Sequence, residues 1–452
     1  MSRITRRRFL NQSIASVGAV GGVAAAVRAV SPIPVTAAAR SSILGANERI
    51  RFAVVGTGGQ GRHDMLTFFK YDNQNLECPL ICDVDDGMLA KTVEALEKAG
   101  KKRPEIVKDF RQACEHKDID VVLVATPDHW HPLMTIAACE AGKDVYCEKP
   151  LANSIGEGKV MVDVARRTHR VVQMGTQWRT SRHHAEAVEY VQSGKLGKVR
   201  LVRCWAALAW FPSIGKVADA PVPAGVDYDM WLGPAPLRPF NPARFHFTFR
   251  WFWDYAGGLM TDWGVHLLNI ALWAMKAQTP IRVASTGGKY VFDDSAETPD
   301  TQCTLFDYGD FTLIWEHQAG TGHGPNGREH GMAFYGTNGT LTVDADGWQV
   351  VPEEKKKQEF PAIQKKREDD PELCRVRLVG DFIECTRTRK RPAQDIELGQ
   401  HVTAVAHLGN LALRTGRSIE YDAANMRVIG NDEASRMVTA AYRGPWKLPT
   451  TP

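Results

Sequence analysis

The chain has no CxxC pair and no cysteine–histidine series spaced to close a zinc site. Its nine cysteines are odd in number and scattered. Cys78, Cys82, Cys139 and Cys147 fall in apolar stretches, so they read as small buried hydrophobes rather than a disulfide framework. Charge of one sign is also scarce. A net charge of +4 over 452 residues leaves no concentrated basic face and argues against a nucleic-acid partner. No apolar run is long enough for a stable membrane span, and no internal repeat is visible. The sequence is otherwise an ordinary globular one, 44% apolar and 24% charged, with room for two or three domains.

The first 42 residues stand apart. Thr5-Arg6-Arg7-Arg8-Phe9-Leu10 resembles the twin-arginine export signature. An Ala/Gly/Val-rich run from Ile14 to Val30, broken by Arg28, follows it, and then the small-residue sites Val35-Thr36-Ala37 and Ala37-Ala38-Ala39. This order predicts a signal peptide over 1–42, recognition by the twin-arginine machinery, and a periplasmic or otherwise exported protein. An uncleaved signal would leave a membrane tether.

The most informative stretch begins at Arg49. A short apolar strand to Val55 runs into Gly56-x-Gly58-Gly59-Gln60-Gly61, and an amphipathic segment with Met65, Leu66, Phe68 and Phe69 follows. Strand, glycine turn and helix form a dinucleotide cradle: Gly56 makes the tight turn, Gly58 admits a pyrophosphate, and Gly61 lets helix and strand pack closely. The helix N-terminus then faces the phosphates. A second strand ends at Asp83-Val84-Asp85, where an acid receives ribose hydroxyls and repels a 2′-phosphate. Asp83 is therefore assigned to the ribose, with NAD preferred over NADP, while Asp85 has the position of a helix cap.

Strand–helix alternation continues to about 175. The apolar strand Asp120–Ala125 ends at Thr126-Pro127-Asp128-His129-Trp130-His131, at the sheet edge where ligands bind. His129-x-His131 has no further ligands close by, so no metal is expected, and Thr126, Pro127 and His131 are assigned to the nucleotide wall. Asp144–Cys147 leads into Glu148-Lys149-Pro150, which positions a lysine at a strand end. Beyond 175 the pattern changes. Residues 211–244 are a Pro/Gly-rich loop, which at this length is usually functional. Asp262 and His266 stand i, i+4 in a segment of helical spacing, a carboxylate beside a proton-shuttling histidine. Short alternating stretches over 281–350 predict a meandering, mostly antiparallel sheet. The glycine-rich span 321–330, which holds His323 and His330, reads as a mobile active-site loop, and the charge run 353–370 as a solvated excursion.

These motifs together resemble the Gfo/Idh/MocA family (glucose–fructose oxidoreductase, inositol dehydrogenase), in its exported branch. The resemblance rests on Ala53–Gly61, Ala125–His131, Ala141–Pro150, Gly175-Thr-Gln177, Asp262-Trp-Gly-Val-His266 and Leu408–Gly416. It implies a Rossmann NAD-binding domain over 48–175. An α/β substrate and oligomerisation domain with a large open sheet over 176–448 would build a homodimer or homotetramer. It also implies an NAD(P)-dependent oxidoreductase acting on a sugar, glycoside or polyol, with Lys149, His266 and Asp262 catalytic and Glu148 beside the cofactor. Trp130, Trp178 and Tyr255 are candidate sugar-stacking rings, with Gln177 and Arg179 beside them. Asn269 stands where many relatives carry an acid that holds substrate. Two other functions stay open: a redox-neutral, NAD-dependent cleavage of glycosides, and a non-catalytic sugar or nucleotide binder, against which Lys149 and His266 both speak.

Overall fold

The computed structural model describes residues 49–72 and 75–450. The export segment expected over 1–42 lies outside the described residues. Six strands build the first sheet: β1 (Ile50–Val55), β2 (Leu76–Cys82), β3 (Glu105–Val107), β4 (Val121–Val124), β5 (Asp144–Cys147) and β6 (Val172–Met174). All pairings are parallel, in the order β3-β2-β1-β4-β5-β6. β4 and β5 are buried along their whole length, as strands with both faces covered must be. The order reverses between β1 and β4, so a crevice opens at the carboxyl ends of these two strands. That crevice is where the glycine turn, Thr126 and Lys149 converge.

The second sheet has eight strands: β7 (Leu201–Leu208), β8 (Arg282–Gly288), β9 (Thr301–Asp307), β10 (Thr312–Ala319), β11 (His330–Tyr335), β12 (Gly339–Val343), β13 (Gly347–Pro352) and β14 (Ile363–Lys366). Their order is β14-β13-β12-β11-β7-β10-β9-β8. The sheet is antiparallel except where β7 pairs parallel with β10. Two expectations change here. The charge run 353–370 is not wholly a solvated excursion, because Ile363–Lys366 joins the sheet as an edge strand, where its lysines blunt the open edge. The loop before β11 is also pinned, since the Trp205 indole donates to the Arg328 carbonyl (3.0 Å) and the Arg328 guanidinium pairs with Asp344.

The sequence division at 175 misses one crossing. The helix Leu373–Thr388 returns to the first sheet, where Phe382 packs on Phe68 and Tyr146 at ring distances of 6.3 and 5.7 Å. It ends at Arg389, whose buried guanidinium grips Asp144 at the start of β5 through both terminal nitrogens. Removing one partner would strand the other charge in the interior. Arg389→Met is therefore expected to cost about 3–5 kcal/mol of stability, read as a lower denaturant midpoint. A loss below 1 kcal/mol would show that Asp144 finds another partner.

Candidate active site

The glycine turn shows why each glycine is required where it stands. Gly56 has φ +86, and a Cβ there would lie 2.6 Å from the Ala125 carbonyl carbon. A Cβ on Gly61 would lie 1.9 Å from the Gly56 carbonyl oxygen, so Gly61 serves the contact between helix and turn. At Gly58 and Gly59 a Cβ would meet nothing within 4 Å. Both glycines line a cavity of about 530 Å³, together with Gly56, Gln60, Asp83, Thr126, Pro127, Glu148 and Lys149. The helix Gly59–Tyr71 starts at this cavity, with its free N–H groups at the turn. An open glycine face, a helix N-terminus and an acid at the end of β2 are the parts a dinucleotide requires, and the residues present fit it.

Asp83 is held firmly for its part. Its Oδ2 accepts from the Thr57 N–H (2.6 Å) and hydroxyl (3.0 Å), and its Oδ1 accepts from the Asp85 N–H (3.1 Å). Asp85 caps the next helix through the Gly87 N–H (2.7 Å). His131, assigned to the nucleotide wall, plays a structural part instead, while Gly61 packs as its motif role requires. His131 is buried off the cavity wall, with its two ring nitrogens against the Pro150 and Thr126 carbonyls (2.7 and 2.9 Å). Gly61 lies behind the turn. The Gln60 amide donates to Asp64 (2.9 Å).

The cavity has a roof that sequence reasoning missed. The long loop after β7 crosses the end of β2, where the Asp227 N–H donates to the Val84 carbonyl (2.9 Å) and the Asp86 N–H to the Gly225 carbonyl (3.1 Å). His246 pairs with Asp85 at 2.8 Å, and Phe247, Phe249 and Arg250 line the cavity beside it. The length and proline content of the loop signalled a function. They did not signal its place over the nucleotide.

At the other end Lys149 is the centre. Its Nζ donates to Asp262 Oδ1 (2.6 Å) and to the Asp262 carbonyl (2.9 Å), while the Arg250 Nε donates to the same carboxylate (3.2 Å). Against the opposing effect of burial, the two cations hold the Asp262 carboxyl well below its usual range. The expected Asp262–His266 pairing changes, because the helix is not continuous. It stops at Asp262 and restarts at Gly264 after the break at Trp263. Among the described residues no hydrogen bond joins Asp262 to His266, so Asp262 positions Lys149 instead. His266 Nδ1 is buried without a partner among the described residues. Burial first, and the Lys149 ammonium second, hold its pKa well below 6.5, so the imidazole is neutral and able to accept a proton.

The proposed sugar contacts divide. Trp178 is half-buried and lies 5.4 Å from the His266 ring, stacked near His184 (5.0 Å, 15°) and His330 (5.8 Å, 18°). Gln177 and Arg179 share its short 3-10 turn. Tyr255 is 0% exposed, packed between Trp231 and His129, so it offers no face to a sugar. Trp130 is also core: its indole N–H donates to the Met230 and Trp231 carbonyls (3.1 and 3.0 Å), and only its edge reaches the nucleotide cavity. Asn269 is 1% exposed and fully engaged, accepting from Arg179 (2.9 Å) and donating to Thr176 (3.1 Å) and Gln394 (3.0 Å). It holds its neighbours in place rather than a substrate, and Arg179 is committed with it. Among the described residues no cluster of His, Cys, Asp and Glu forms a metal site.

Residues 50–176 match the model of the Gfo/Idh/MocA NAD-binding Rossmann fold, and residues 190–304 and 347–448 match that of the C-terminal alpha/beta domain of the same oxidoreductase family. A glycosyl hydrolase family 109 protein of Shewanella sp. strain ANA-3 is 29% identical over 209 residues, 44% of this chain and 45% of its own. The alpha-N-acetylgalactosaminidase of Shewanella oneidensis is 26% identical over 208 residues, with the same shares. The match therefore spans less than half the length of these relatives. A levoglucosan dehydrogenase solved with NADH and levoglucosan shares the fold at a TM-score of 0.64 and 17% identity, over 82% of this chain and 99% of its own. An aldose–aldose oxidoreductase from Caulobacter crescentus, complexed with glycerol, does so at 0.63 and 20%, over 82% and 100%. With both domain models matched and the glycine cradle, Asp83 and Lys149 on one cavity, the chain belongs to the Gfo/Idh/MocA oxidoreductase family and its cofactor is NAD.

Proposed function

We propose that the protein oxidises a carbinol carbon of a sugar, glycoside or polyol. The observation that carries this reading is the buried Lys149–Asp262–Arg250 cluster beside His266, which burial holds neutral and whose Nδ1 has no hydrogen-bond partner among the described residues. NAD, when bound, supplies the hydride acceptor. His266 accepts the proton of the substrate hydroxyl. Lys149 stabilises the alkoxide charge as it develops, in a site that Asp262 has already organised. Trp178, half-buried, borders His266 on the substrate side. The names of the structural neighbours, a levoglucosan dehydrogenase and an aldose–aldose oxidoreductase, support this substrate class.

A second reading keeps the same first step and adds elimination, hydrolysis and re-reduction, so that a glycoside is cleaved with no net change in NAD. The sequence relatives named as glycosyl hydrolase family 109 proteins favour it. Export by the twin-arginine route, with the nucleotide loaded before departure, and a homodimer or homotetramer complete the proposal. An exported enzyme has no obvious nucleotide pool, so its NAD stays bound and is reoxidised by a second substrate or by the second half of a redox-neutral cycle.

The test is to purify the full chain, denature it and identify any released nucleotide by mass, then to offer sugar pairs and intact glycosides without added cofactor. Oxidised sugar supports the first reading, and cleaved glycoside with unchanged NAD supports the second. A protein that carries no nucleotide and binds none in titration overturns both. The pH profile adds a check on His266. Because burial lowers its pKa, protonation disables the base only below 6.5, so oxidation is expected to stay flat as pH falls through 6.5. An acid limb centred at or above 6.5 would reject His266 as the base.

A further inference from the structure

Residues 437–446 take no part in the mechanism, and none of them lines the nucleotide cavity. They are nevertheless built against it from behind, at two anchors. The first is the helix Ile155–Arg167, which lies between β5 and β6. The Gly156 N–H donates to the Val438 carbonyl (2.8 Å), and the Ala440 N–H donates to the Ser154 hydroxyl (3.1 Å). The Tyr442 hydroxyl donates to Glu157 Oε1 (2.7 Å), while the Ser154 hydroxyl donates to Glu157 Oε2 (2.7 Å). Glu157 is 1% exposed, so these donors take the place of water. A Cβ on Gly156 would lie 1.9 Å from Thr439 Oγ1, which leaves the fit no slack.

The second anchor is the long loop after β7, where Arg443 spans the short helix Tyr228–Leu232. Its Nη1 pairs with the Asp229 carboxylate (2.6 Å), its Nη2 donates to the Asp229 carbonyl (3.1 Å) and its Nε to the Gly233 carbonyl (3.0 Å). Its backbone N–H donates to the Pro234 carbonyl (2.8 Å). Met230 and Trp231, between these contacts, line the cavity. Trp446 packs edge-on against Trp130 (4.8 Å, 81°) and lies 6.3 Å from the Phe110 ring. Both of those rings line the cavity too. The pieces interlock, because the Trp130 indole donates to the Met230 and Trp231 carbonyls and a Cβ on Gly233 would lie 2.1 Å from the Trp130 ring. One wall of the cavity is therefore backed by Arg443 and Trp446.

That wall is a seam. Phe110 and Trp130 follow strands of the first sheet, whereas Met230 and Trp231 belong to the roof loop. Elsewhere the roof is held to the first sheet by His246 on Asp85 and by the Asp227 N–H on the Val84 carbonyl. Parting the seam would widen the cavity and loosen whatever it holds, and residues 437–446 are fixed to both of its sides. We propose that this segment is a strap that keeps the seam shut and so slows release of the bound nucleotide. The inference rests on NAD occupying the cavity. Arg443 and Trp446 act through the wall they back, so both are positioning residues. Such a strap serves an enzyme that keeps one nucleotide through many turnovers.

The test is the rate at which NAD bound to the full-length protein exchanges for added isotope-labelled NAD, read by mass after rapid gel filtration. Trp446→Ala is expected to speed exchange by about tenfold, the weight of the two aromatic contacts it loses. Arg443→Met loses three side-chain hydrogen bonds and is expected to speed exchange by about the same factor. Either variant carries the test should the other fail to fold. Trp446→Phe keeps an aromatic ring against Trp130 and is expected to restore most of the slow rate. Arg389→Met, which weakens the fold far from the seam, is expected to leave the rate unchanged. An unaltered rate in the folded Trp446→Ala or Arg443→Met protein, or equal acceleration by Arg389→Met, overturns the strap and leaves the cofactor assignment intact. A protein that binds no NAD overturns the cofactor assignment and the strap with it.

Discussion

Replacing Lys149 by methionine is expected to lower kcat about a thousandfold, with the nucleotide still bound. The argument runs from charge placement. The lysine ammonium sits 2.6 Å from the Asp262 carboxylate, largely buried at the cavity, and it is the cation that the carboxyl end of the first sheet itself supplies. An alkoxide forming there needs a fixed positive charge, and water reorganised at the moment of reaction is a poor substitute. Methionine keeps most of the side-chain bulk and removes the ammonium, with its charge and its two hydrogen bonds to Asp262. Arg250 still contacts Asp262 in the variant, so the buried carboxylate is not left alone and the fold should persist. The measurement is turnover with whichever sugar the purified enzyme oxidises, together with the nucleotide released on denaturation. A variant within tenfold of the unaltered enzyme would remove Lys149 from the chemistry. A variant that loses its nucleotide would make it a cofactor-binding residue instead.

The second large effect separates the two glycines to which the motif gives different jobs, Gly58 and Gly61. Gly58→Ala is expected to leave the unfolding midpoint nearly unchanged and to weaken NAD binding by about tenfold or more, because the added methyl enters only the cavity. The backbone permits it, since Gly58 has φ −60. Gly61→Ala is expected to destabilise the protein by about 1–3 kcal/mol, because the methyl would meet the Gly56 carbonyl oxygen at 1.9 Å and push the helix off the turn. Thermal unfolding and nucleotide titration of both variants check the pair. Equal loss of stability in the two would mean that Gly58 also packs against protein.

Local pattern made much of the first half legible. β1 with its glycine turn, Asp83 at the end of β2, and Lys149 after β5 all stand at strand ends, and in a parallel sheet those ends meet at one crevice. Knowing the elements was enough to bring these residues together. The substrate side was less legible. Spacing of i, i+4 placed Asp262 and His266 on one helical face, and a single break at Trp263 turned the carboxylate to Lys149. Aromatic identity did not distinguish Trp178, half-exposed beside His266, from Tyr255 and Trp130, which fill the core. Exposure is a property of packing, and packing is set by distant segments.

The sequence by itself determined the parallel sheet, the glycine cradle, the acid at the end of β2 and the lysine at the cavity edge, because each follows from residues close together along the chain. Tertiary structure alone decided the partner of Asp262, the arrival of Arg250 and the roof over the cavity. It also decided the return of Leu373–Thr388 to the first sheet. These contacts join residues far apart in sequence, and they exist only because burial of the apolar faces brought their backbones together.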